Sequence, residues 1–189
     1  MVKEPRPGRV KTRLGKDIGL TASAWWFRHQ TRALLRRIED PRWETVLAVA
    51  PDREGLQSRI WPAHLPRIAQ GRGDLGDRMG GILRSLPPGP VCIIGADIPG
   101  ITRPHIARAF KTLGDHEAVF GPAPDGGYWL IGMKRAGALS PDILQNVRWS
   151  TQHALADSAA SLRTRNMACV ATLQDVDTLD DLTALNLQR

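Results

Sequence analysis

Hydrophobic and polar positions follow one another along this chain in blocks that predict strands separated by helices. The clearest strand is "VCIIGAD", residues 91–97, whose apolar side chains suit a central parallel strand buried on both faces. Shorter apolar blocks predict further strands at residues 44–50, 66–71, 117–121, 128–133 and 167–173. Helical spacing predicts helices at about 18–39, 75–86, 103–113 and 150–164, with a last helix from Thr178. This alternation predicts an α/β sandwich with a mostly parallel sheet.

The first predicted helix, residues 18–39, is amphipathic, with arginines opposite its apolar stripe. At helical spacing, the stripe comprises Ala22, Trp25, Trp26, His29, Ala33 and Ile38. We therefore expect this stripe to face the core and His29 to be buried with it.

Chain length and composition predict one globular domain over residues 1–189. No apolar run is long enough to span a bilayer, and the basic N-terminus lacks the apolar stretch of a signal peptide. We therefore expect a cytoplasmic protein without a membrane span. Cys92 and Cys169 lie in apolar, strand-like segments, which is typical of buried thiols rather than of a disulfide framework.

Positive charge is concentrated in the first fifth of the chain. The formal net charge is +7, yet residues 1–37 hold ten Lys and Arg against only Glu4 and Asp17. A local excess of this kind suits a small polyanion at least as well as a long nucleic acid. Nucleic-acid binding is kept as an alternative, although the chain has no recognised nucleic-acid-binding motif.

The segment "KEPRPGRVKTRL", residues 3–14, places this charge on a loop stiffened by prolines. Its cations are Lys3, Arg6, Arg9, Lys11 and Arg13. Such a loop is easier to order around phosphates than a flexible tail, and arginine can hold a phosphate through two hydrogen bonds. The frame of a Walker A motif is absent, because no glycine stands before Lys11 at the required spacing.

Carboxylates follow two of the predicted strands. Asp97 ends the strand 91–97, where it is either a metal ligand or a turn residue. In "QDVDTLDDL", residues 174–182, Thr178 caps a helix whose first turn holds Asp180 and Asp181. That role leaves Asp175 and Asp177 unexplained. Carboxylates from two strand ends suit Mg²⁺, which also takes oxygens from a substrate phosphate.

Two glycine-containing loops have alternative interpretations. In "GPAPDGGYWLIG", residues 121–132, Gly126 and Gly127 would let the backbone approach a ligand, although Asp-Gly is also a common hairpin turn. "GRGDLG", residues 71–76, has the form of a dinucleotide-binding fingerprint. The carboxylate of Asp74 would repel a pyrophosphate there, and the basic N-terminal loop would have no role.

Taken in chain order, these motifs resemble the GT-A-fold nucleotide-diphospho-sugar transferase superfamily. The similarity is greatest to a bacterial branch of candidate glycosyltransferases akin to the 2-phospholactate guanylyltransferases. The matching motifs are "KEPRPGRVKTRL", "GDLGDRM", "IGADIPG", "GPAPDGGYWLIG", "RWST" and "DVDTLDDL". The resemblance implies a three-layer α/β/α sandwich, a Mg²⁺ or Mn²⁺ ion, and a nucleotide or nucleotide-sugar substrate with a further acceptor.

The same resemblance implies roles for individual residues. Nucleotide phosphates would be held by Lys3, Gly8, Arg9, Lys11 and Arg13. The nucleotide side of the cleft would be lined by Gly73, Asp74, Leu75 and Arg78. The acceptor or sugar side would be shaped by Asp125, Gly126 and Gly127. Asp97 would be the principal metal ligand and Asp177 the second, with Asp175 as its alternative; Lys11, Arg13 and Asp97 would be the catalytic residues.

The sequence departs from the family pattern at two places. Family members have a full hydrophobic strand before the lysine of the first motif, whereas only Met1 and Val2 precede Lys3. We therefore expect either that the natural start lies upstream or that a truncated first strand removes part of the nucleotide site. Gln30 stands where an aspartate is expected.

The activity implied is a Mg²⁺-dependent glycosyl transfer from a nucleotide-sugar by direct displacement. The alternatives are a nucleotidyltransferase that uses a nucleoside triphosphate and a nucleotide-binding protein without catalysis.

Overall fold

Strands and helices alternate in the computed structural model, which describes residues 1–135 and 137–187. In chain order the elements are β1 (Val2–Lys3), α1 (Thr12–Ile18), α2 (Leu20–Ile38), β2 (Leu47–Ala50), α3 (Asp52–Gln57), β3 (Arg67–Ala69), α4 (Leu75–Ser85), β4 (Val91–Ile94), α5 (Arg103–Asp115), β5 (Ala118–Pro122), β6 (Tyr128–Met133), α6 (Ala154–Ser161), β7 (Met167–Cys169) and α7 (Leu179–Leu187). The α/β class predicted from the sequence is confirmed. Within the described residues, no helix combines the length and apolar character needed to cross a bilayer.

The chain divides into two compact units. The first unit consists of Met1–Ala69, Ala96–Ile101 and the segment from Gln174 onward. The second unit consists of Gln70–Gly95 and Thr102–Leu173.

The first unit contains a three-stranded parallel sheet in the order β1-β2-β3. Val2 pairs with Val49, and Leu47 pairs with Arg67. The four residues of β2 are all buried, as expected for the central strand of a parallel sheet. A hydrophobic core is formed by Val2, Val10, Ala24, Phe27, Leu35, Leu47, Val49, Trp61, Leu65 and Ala96.

Helix α2 packs through a face that overlaps the predicted stripe only in part. Its buried residues are Ser23, Ala24, Phe27, Gln30, Thr31, Leu34, Leu35 and Ile38. Trp25 is 55% exposed and His29 is also exposed, so the prediction of a core stripe through these residues is wrong. Two members of the predicted stripe do face the core, because Ile38 is buried and Trp26 packs against the core cluster. Phe27 and Leu34 share the buried face with Ile38 at helical spacing.

The second unit contains a mixed sheet in the order β4-β6-β5-β7. β6 is antiparallel to both β4 and β5, and β5 is parallel to β7. The mostly parallel arrangement expected from the sequence therefore applies to the first sheet, while a hairpin between β5 and β6 makes the second one mixed. Fully buried side chains of this sheet include Phe120, Trp129, Leu130 and Ile131.

The two cysteines lie in strands of the second unit, as predicted, but only Cys92 is substantially covered. Cys92 is partly buried in β4, and Cys169 is exposed at the end of β7. The expectation that both thiols are buried is therefore wrong for Cys169. β7 pairs only with β5 among the described strands, so its last residue has solvent access.

Candidate metal and nucleotide site

The basic loop of residues 4–11 connects β1 with α1 and ends at Lys11. The backbone N–H of Glu4 donates to the carbonyl of Ala50 at 2.7 Å, which extends the pairing of β1 with β2. Val10 is buried in the core, and Lys11 then adopts a left-handed backbone conformation with φ of 45°. A non-glycine residue seldom adopts this conformation, and such strain is concentrated at functional sites.

The Lys11 side chain lies among three carboxylates of the first unit. Its Nζ is 2.7 Å from Asp97 Oδ2, 2.5 Å from Asp177 Oδ1 and 3.7 Å from Asp175 Oδ2. The side chain is only 4% exposed, whereas the three carboxylates are about one-third exposed. Arg13 Nη1 also approaches Asp177 Oδ2, at 3.3 Å, from a solvent-exposed position.

Asp97 is positioned by the segment Ala96–Ile101, which is fixed to helix α2. Ala96, Ile98 and Ile101 are buried. Arg37 donates from Nε to the carbonyl of Ile101 at 2.6 Å and from Nη2 to that of Pro99 at 2.7 Å. Thr31 Oγ1 donates to the carbonyl of Ala96 at 3.4 Å. The backbone on both sides of Asp97 is therefore held by α2.

Asp175 and Asp177 are positioned by the residue between them. Val176 is 2% exposed and anchors the segment, while the flanking Asp175 and Asp177 side chains are about one-third exposed. The backbone N–H groups of Asp177 and Thr178 donate to Asp181 Oδ2 at 3.0 and 2.8 Å. Burial alone would raise the pKa of Asp181, but the hydrogen bond from the Thr178 hydroxyl and those from the two backbone N–H groups outweigh it and lower that pKa. The Thr178 hydroxyl accepts from the backbone N–H of Asp181 at 3.3 Å, so the capping role predicted for Thr178 is present.

The cluster of Asp97, Asp175 and Asp177 has a donor set that fits a divalent cation. One oxygen from each carboxylate lies within 4.8 Å of the other two. Carboxylate oxygens are the ligands that Mg²⁺ and Mn²⁺ prefer. Burial alone would lower the pKa of Lys11, but the charges and hydrogen bonds of Asp97 and Asp177 outweigh it and raise that pKa. Lys11 and Arg13 bring two positive charges to these three carboxylates.

The glycine-containing turn before α4, in the second unit, is held by local hydrogen bonds. Asp74 Oδ1 accepts from the backbone N–H of Asp77 at 2.9 Å, and Asp77 Oδ2 accepts from that of Asp74 at 3.0 Å. Arg78 Nε donates to the carbonyl of Gly73 at 3.1 Å, and Leu75, the first residue of α4, is exposed. Asp74 therefore caps helix α4, and "GRGDLG" forms the turn that leads into this helix.

The loop of Asp125, Gly126 and Gly127, also in the second unit, is a tight hairpin turn. Asp125 Oδ1 accepts from the backbone N–H of Gly127 at 2.9 Å, and Ala123 N donates to the carbonyl of Gly127 at 3.0 Å. Gly126 has a φ of 85°, and a Cβ there would collide with the backbone of Gln152. Both facts require glycine at this position.

A family model matches residues 33–151, which is more than half of the chain. The chain belongs to the DUF2064 family. The family is described as an uncharacterized protein conserved in bacteria. The matched residues of this DUF2064 protein include Asp97, whereas Lys11, Asp175 and Asp177 lie outside the matched range.

A solved structure similar to this DUF2064 protein is a candidate nucleotide-diphospho-sugar transferase from Desulfovibrio desulfuricans G20. It has 29% sequence identity and a TM-score of 0.81, and the match covers 97% of this chain and 83% of that one. Two mycobacterial structures show the fold alone. The Rv0371c homologue from Mycobacterium sp. strain JC1 has 14% identity and a TM-score of 0.52, covering 86% of this chain and 82% of its own. Rv0371c from Mycobacterium tuberculosis H37Rv has 14% identity and a TM-score of 0.53, and the match covers 84% of this chain and 82% of that one. A search of curated proteins gave no significant match.

The structure of this DUF2064 protein brings together five of the residues singled out in the sequence: Lys11, Arg13, Asp97, Asp175 and Asp177. Lys3, Gly8 and Arg9 also belong to the first unit and are exposed. Arg37 was missed by the sequence analysis, which placed it with the other arginines on the solvent side of the helix. No local pattern marks it, because its partners are carbonyl groups more than 60 residues away.

Proposed function

We propose that this DUF2064 protein is a Mg²⁺- or Mn²⁺-dependent transferase that acts on a nucleotide-activated substrate. The observation that carries the proposal is the cluster of Asp97, Asp175 and Asp177, held by two separate segments around Lys11. A nucleotide-sugar is the first candidate substrate, because the similar protein from Desulfovibrio desulfuricans bears the name of a nucleotide-diphospho-sugar transferase. The expected GT-A architecture in a single domain is part of the same proposal.

The three aspartates would hold the metal ion, which would offset negative charge on the diphosphate of the substrate. Lys11 and Arg13 are the residues of the basic loop nearest to these carboxylates, so they would bind the phosphates on the same side. In glycosyl transfer, the acceptor hydroxyl oxygen would form a bond to the sugar carbon while the bond from that carbon to the diphosphate oxygen breaks. The hydroxyl proton would pass to the leaving diphosphate or to water. The leaving diphosphate would keep the electron pair of the broken bond, and Lys11, Arg13 and the metal ion would stabilise its charge.

The remaining residues keep the roles that the family resemblance assigns to them. We propose that Lys3, Gly8 and Arg9 extend the phosphate contacts. We propose nucleotide contacts for a second group, which consists of Gly73, Asp74, Leu75 and Arg78. Asp125, Gly126 and Gly127 would act toward the acceptor or sugar.

The proposal is tested by thermal unfolding with nucleoside triphosphates, nucleoside diphosphates and nucleotide-sugars, each with and without Mg²⁺. A ligand that binds only the folded protein raises the midpoint by mass action. We expect a Mg²⁺-dependent shift that is lost in Asp97→Asn. Asp180→Asn is the matched control, since it removes an exposed carboxylate from the segment next to the cluster.

The pattern of shifts also separates the substrates. A shift for nucleotide-sugars followed by turnover supports glycosyl transfer, and a shift confined to triphosphates supports nucleotidyl transfer. Binding without turnover of either kind would indicate a nucleotide-binding protein. A shift that is equal in wild type and Asp97→Asn would refute the site, and salt-sensitive affinity for DNA or RNA alone would support the nucleic-acid alternative.

A further inference from the structure

We propose that Lys11 is an internal cation that competes with the divalent metal for the same three carboxylates. This inference rests on the proposed function and concerns how its metal site is controlled. Without metal, the Lys11 ammonium neutralises the cluster. When a divalent ion binds, Lys11 leaves the cluster, and its ammonium becomes available to an anionic ligand.

The first step of the argument is geometric. Lys11 Nζ is within 2.7 Å of oxygens on Asp97 and Asp177 and 3.7 Å from Asp175. A Mg²⁺ ion binds carboxylate oxygens at about 2.0–2.1 Å, so an ion shared by these carboxylates would lie close to the Nζ. Two cations at that separation repel each other strongly in a partly buried site. The three carboxylates can therefore bind either the Lys11 ammonium or the divalent ion closely, but not both at once.

The second step concerns charge. The Lys11 ammonium lies within 4 Å of all three carboxylates, and its side chain is 4% exposed. Arg13 contacts only Asp177 and is mostly exposed. Three like charges held this close are stable only with a cation among them. Removal of the Lys11 ammonium should therefore increase the affinity of the three carboxylates for a metal ion.

The third step is that Lys11 has the means to move. Lysine carries its charge on a flexible four-carbon chain without a fixed hydrogen-bonding geometry. Its backbone is in the left-handed region at φ 45°, and its side chain does not cap helix α1. The residues before it form a loop that contains Gly8 at φ 73°. The ammonium can therefore leave the carboxylates by side-chain rotation while Val10 stays in the core.

The test measures metal binding rather than activity. Binding of Mn²⁺ to the whole chain, without nucleotide, is followed by the paramagnetic resonance of the free ion for wild type and Lys11→Met. We expect Lys11→Met to bind Mn²⁺ about tenfold more tightly or better, within the roughly 5- to 150-fold range of coupled sites. Lys16→Met is the matched control, because Lys16 is an exposed lysine on helix α1, which directly follows Lys11, and its loss should leave the affinity unchanged.

A second measurement uses the wild-type chain, so it does not depend on the folding of the variant. Acetylation of lysines by a water-soluble reagent is mapped by mass spectrometry with and without Mg²⁺. We expect Lys11 to be protected without the metal and to become several-fold more reactive with it, while Lys16 does not change. Tighter Mn²⁺ binding in Lys11→Met, or metal-dependent exposure of Lys11, supports the proposal.

The opposite results separate this inference from the proposed function. If wild type and Lys11→Met bind Mn²⁺ equally and Lys11 stays protected with Mg²⁺, the competition is refuted while the metal site stands. If neither protein binds Mn²⁺ or Mg²⁺ at millimolar concentration, the metal site and the competition are both refuted.

Discussion

In the second unit, the carboxylates of Asp74, Asp77 and Asp125 accept hydrogen bonds from backbone groups two or three residues away. Asp125 accepts from the backbone N–H of Gly127, and Asp74 and Asp77 accept from each other's backbone N–H groups. In the first unit, Asp97 and Asp177 share the ammonium of Lys11, which is 166 positions from Asp177. The first kind of contact stabilises a turn or a helix end. The contact of Asp97 and Asp177 with Lys11 gathers negative charge at one place, and no turn or helix end requires that charge.

This difference explains why the first unit carries the functional proposal. A carboxylate that caps a helix or closes a turn contributes to folding and needs no ligand. Carboxylates that converge from remote segments repel one another, so their proximity costs free energy unless a cation is present. Three changes test this comparison. They affect the hairpin glycine Gly126 in the second unit, the arginine Arg37 that holds the backbone next to Asp97 in the first unit, and the thiol of Cys92.

The largest effect is expected for Gly126→Ala in the hairpin of the second unit. Alanine at φ 85° is strained, and its Cβ would collide with the backbone of Gln152. We expect the free energy of unfolding to fall by roughly 2–4 kcal/mol, since strain and overpacking each cost about 1–3 kcal/mol. Urea unfolding followed by circular dichroism measures this change.

Gly114→Ala is the control for that variant. A Cβ at Gly114 meets nothing within 4 Å, and the residue lies in helix α5. We expect this change to be neutral or to stabilise the protein by up to about 1 kcal/mol, because alanine favours helices. Equal losses in the two variants would show that the hairpin is not held by the geometry of Gly126.

An intermediate effect is expected when the support of Asp97 is removed. Arg37→Met deletes two hydrogen bonds to the carbonyls of Pro99 and Ile101. Hydrogen bonds from charged groups contribute about 1.5–3 kcal/mol, so we expect a loss of unfolding free energy of about 1–3 kcal/mol. Mn²⁺ affinity should also fall by roughly 10- to 100-fold, as when residues that orient metal ligands are changed.

Arg36→Met tests whether position rather than charge is responsible. Arg36 is exposed on the same turn of α2 and also carries one positive charge. We expect its loss to change stability by less than about 0.5 kcal/mol and to leave Mn²⁺ affinity unchanged. If Arg36→Met weakened Mn²⁺ binding as much as Arg37→Met, net charge would explain the effect and the positioning role would be wrong.

Elements with strong local signals were predictable from the sequence. Strand β6 was predicted at residues 128–133 and is found there, because an apolar run follows the turn residues Asp125, Gly126 and Gly127. Asp97 and Asp177 were selected because they follow predicted strands. The face of α2 was not predictable in the same way, because its buried side includes Gln30 and Thr31, which hydrophobicity does not mark.

The contacts within the site could not be obtained from sequence patterns alone. Lys11 was expected to bind phosphates, and nothing in "KEPRPGRVKTRL" indicates that its ammonium lies between carboxylates from residues 97 and 177. Arg37 belongs to a row of arginines that is typical of a solvated helix face. Both interactions depend on tertiary structure that joins distant segments, whereas sequence periodicity reports only on neighbours along the chain.

The smallest effect is expected for Cys92, a buried ionisable group that contrasts with Lys11. Burial raises the pKa of the Cys92 thiol to about 12, so this group stays neutral. For Lys11, carboxylates outweigh burial and preserve the charge. Since the thiolate is the reactive form, a thiol reagent at pH 8 should modify exposed Cys169 in the native protein and should leave Cys92 unmodified.

The same pKa shift predicts the sign of a pH effect on stability. In the unfolded chain the Cys92 thiol ionises near its ordinary pKa of about 9, whereas the folded protein retains the proton up to about pH 12. The unfolded state is therefore favoured as pH rises above 9, and stability falls through that interval. Between pH 8 and 10 we expect wild type to lose about 1 kcal/mol more than Cys92→Ala in urea unfolding. Equal losses would mean that Cys92 ionises as readily in the folded protein as in the unfolded chain. The contrast between a thiol kept neutral by burial and a lysine kept charged by carboxylates would then be wrong.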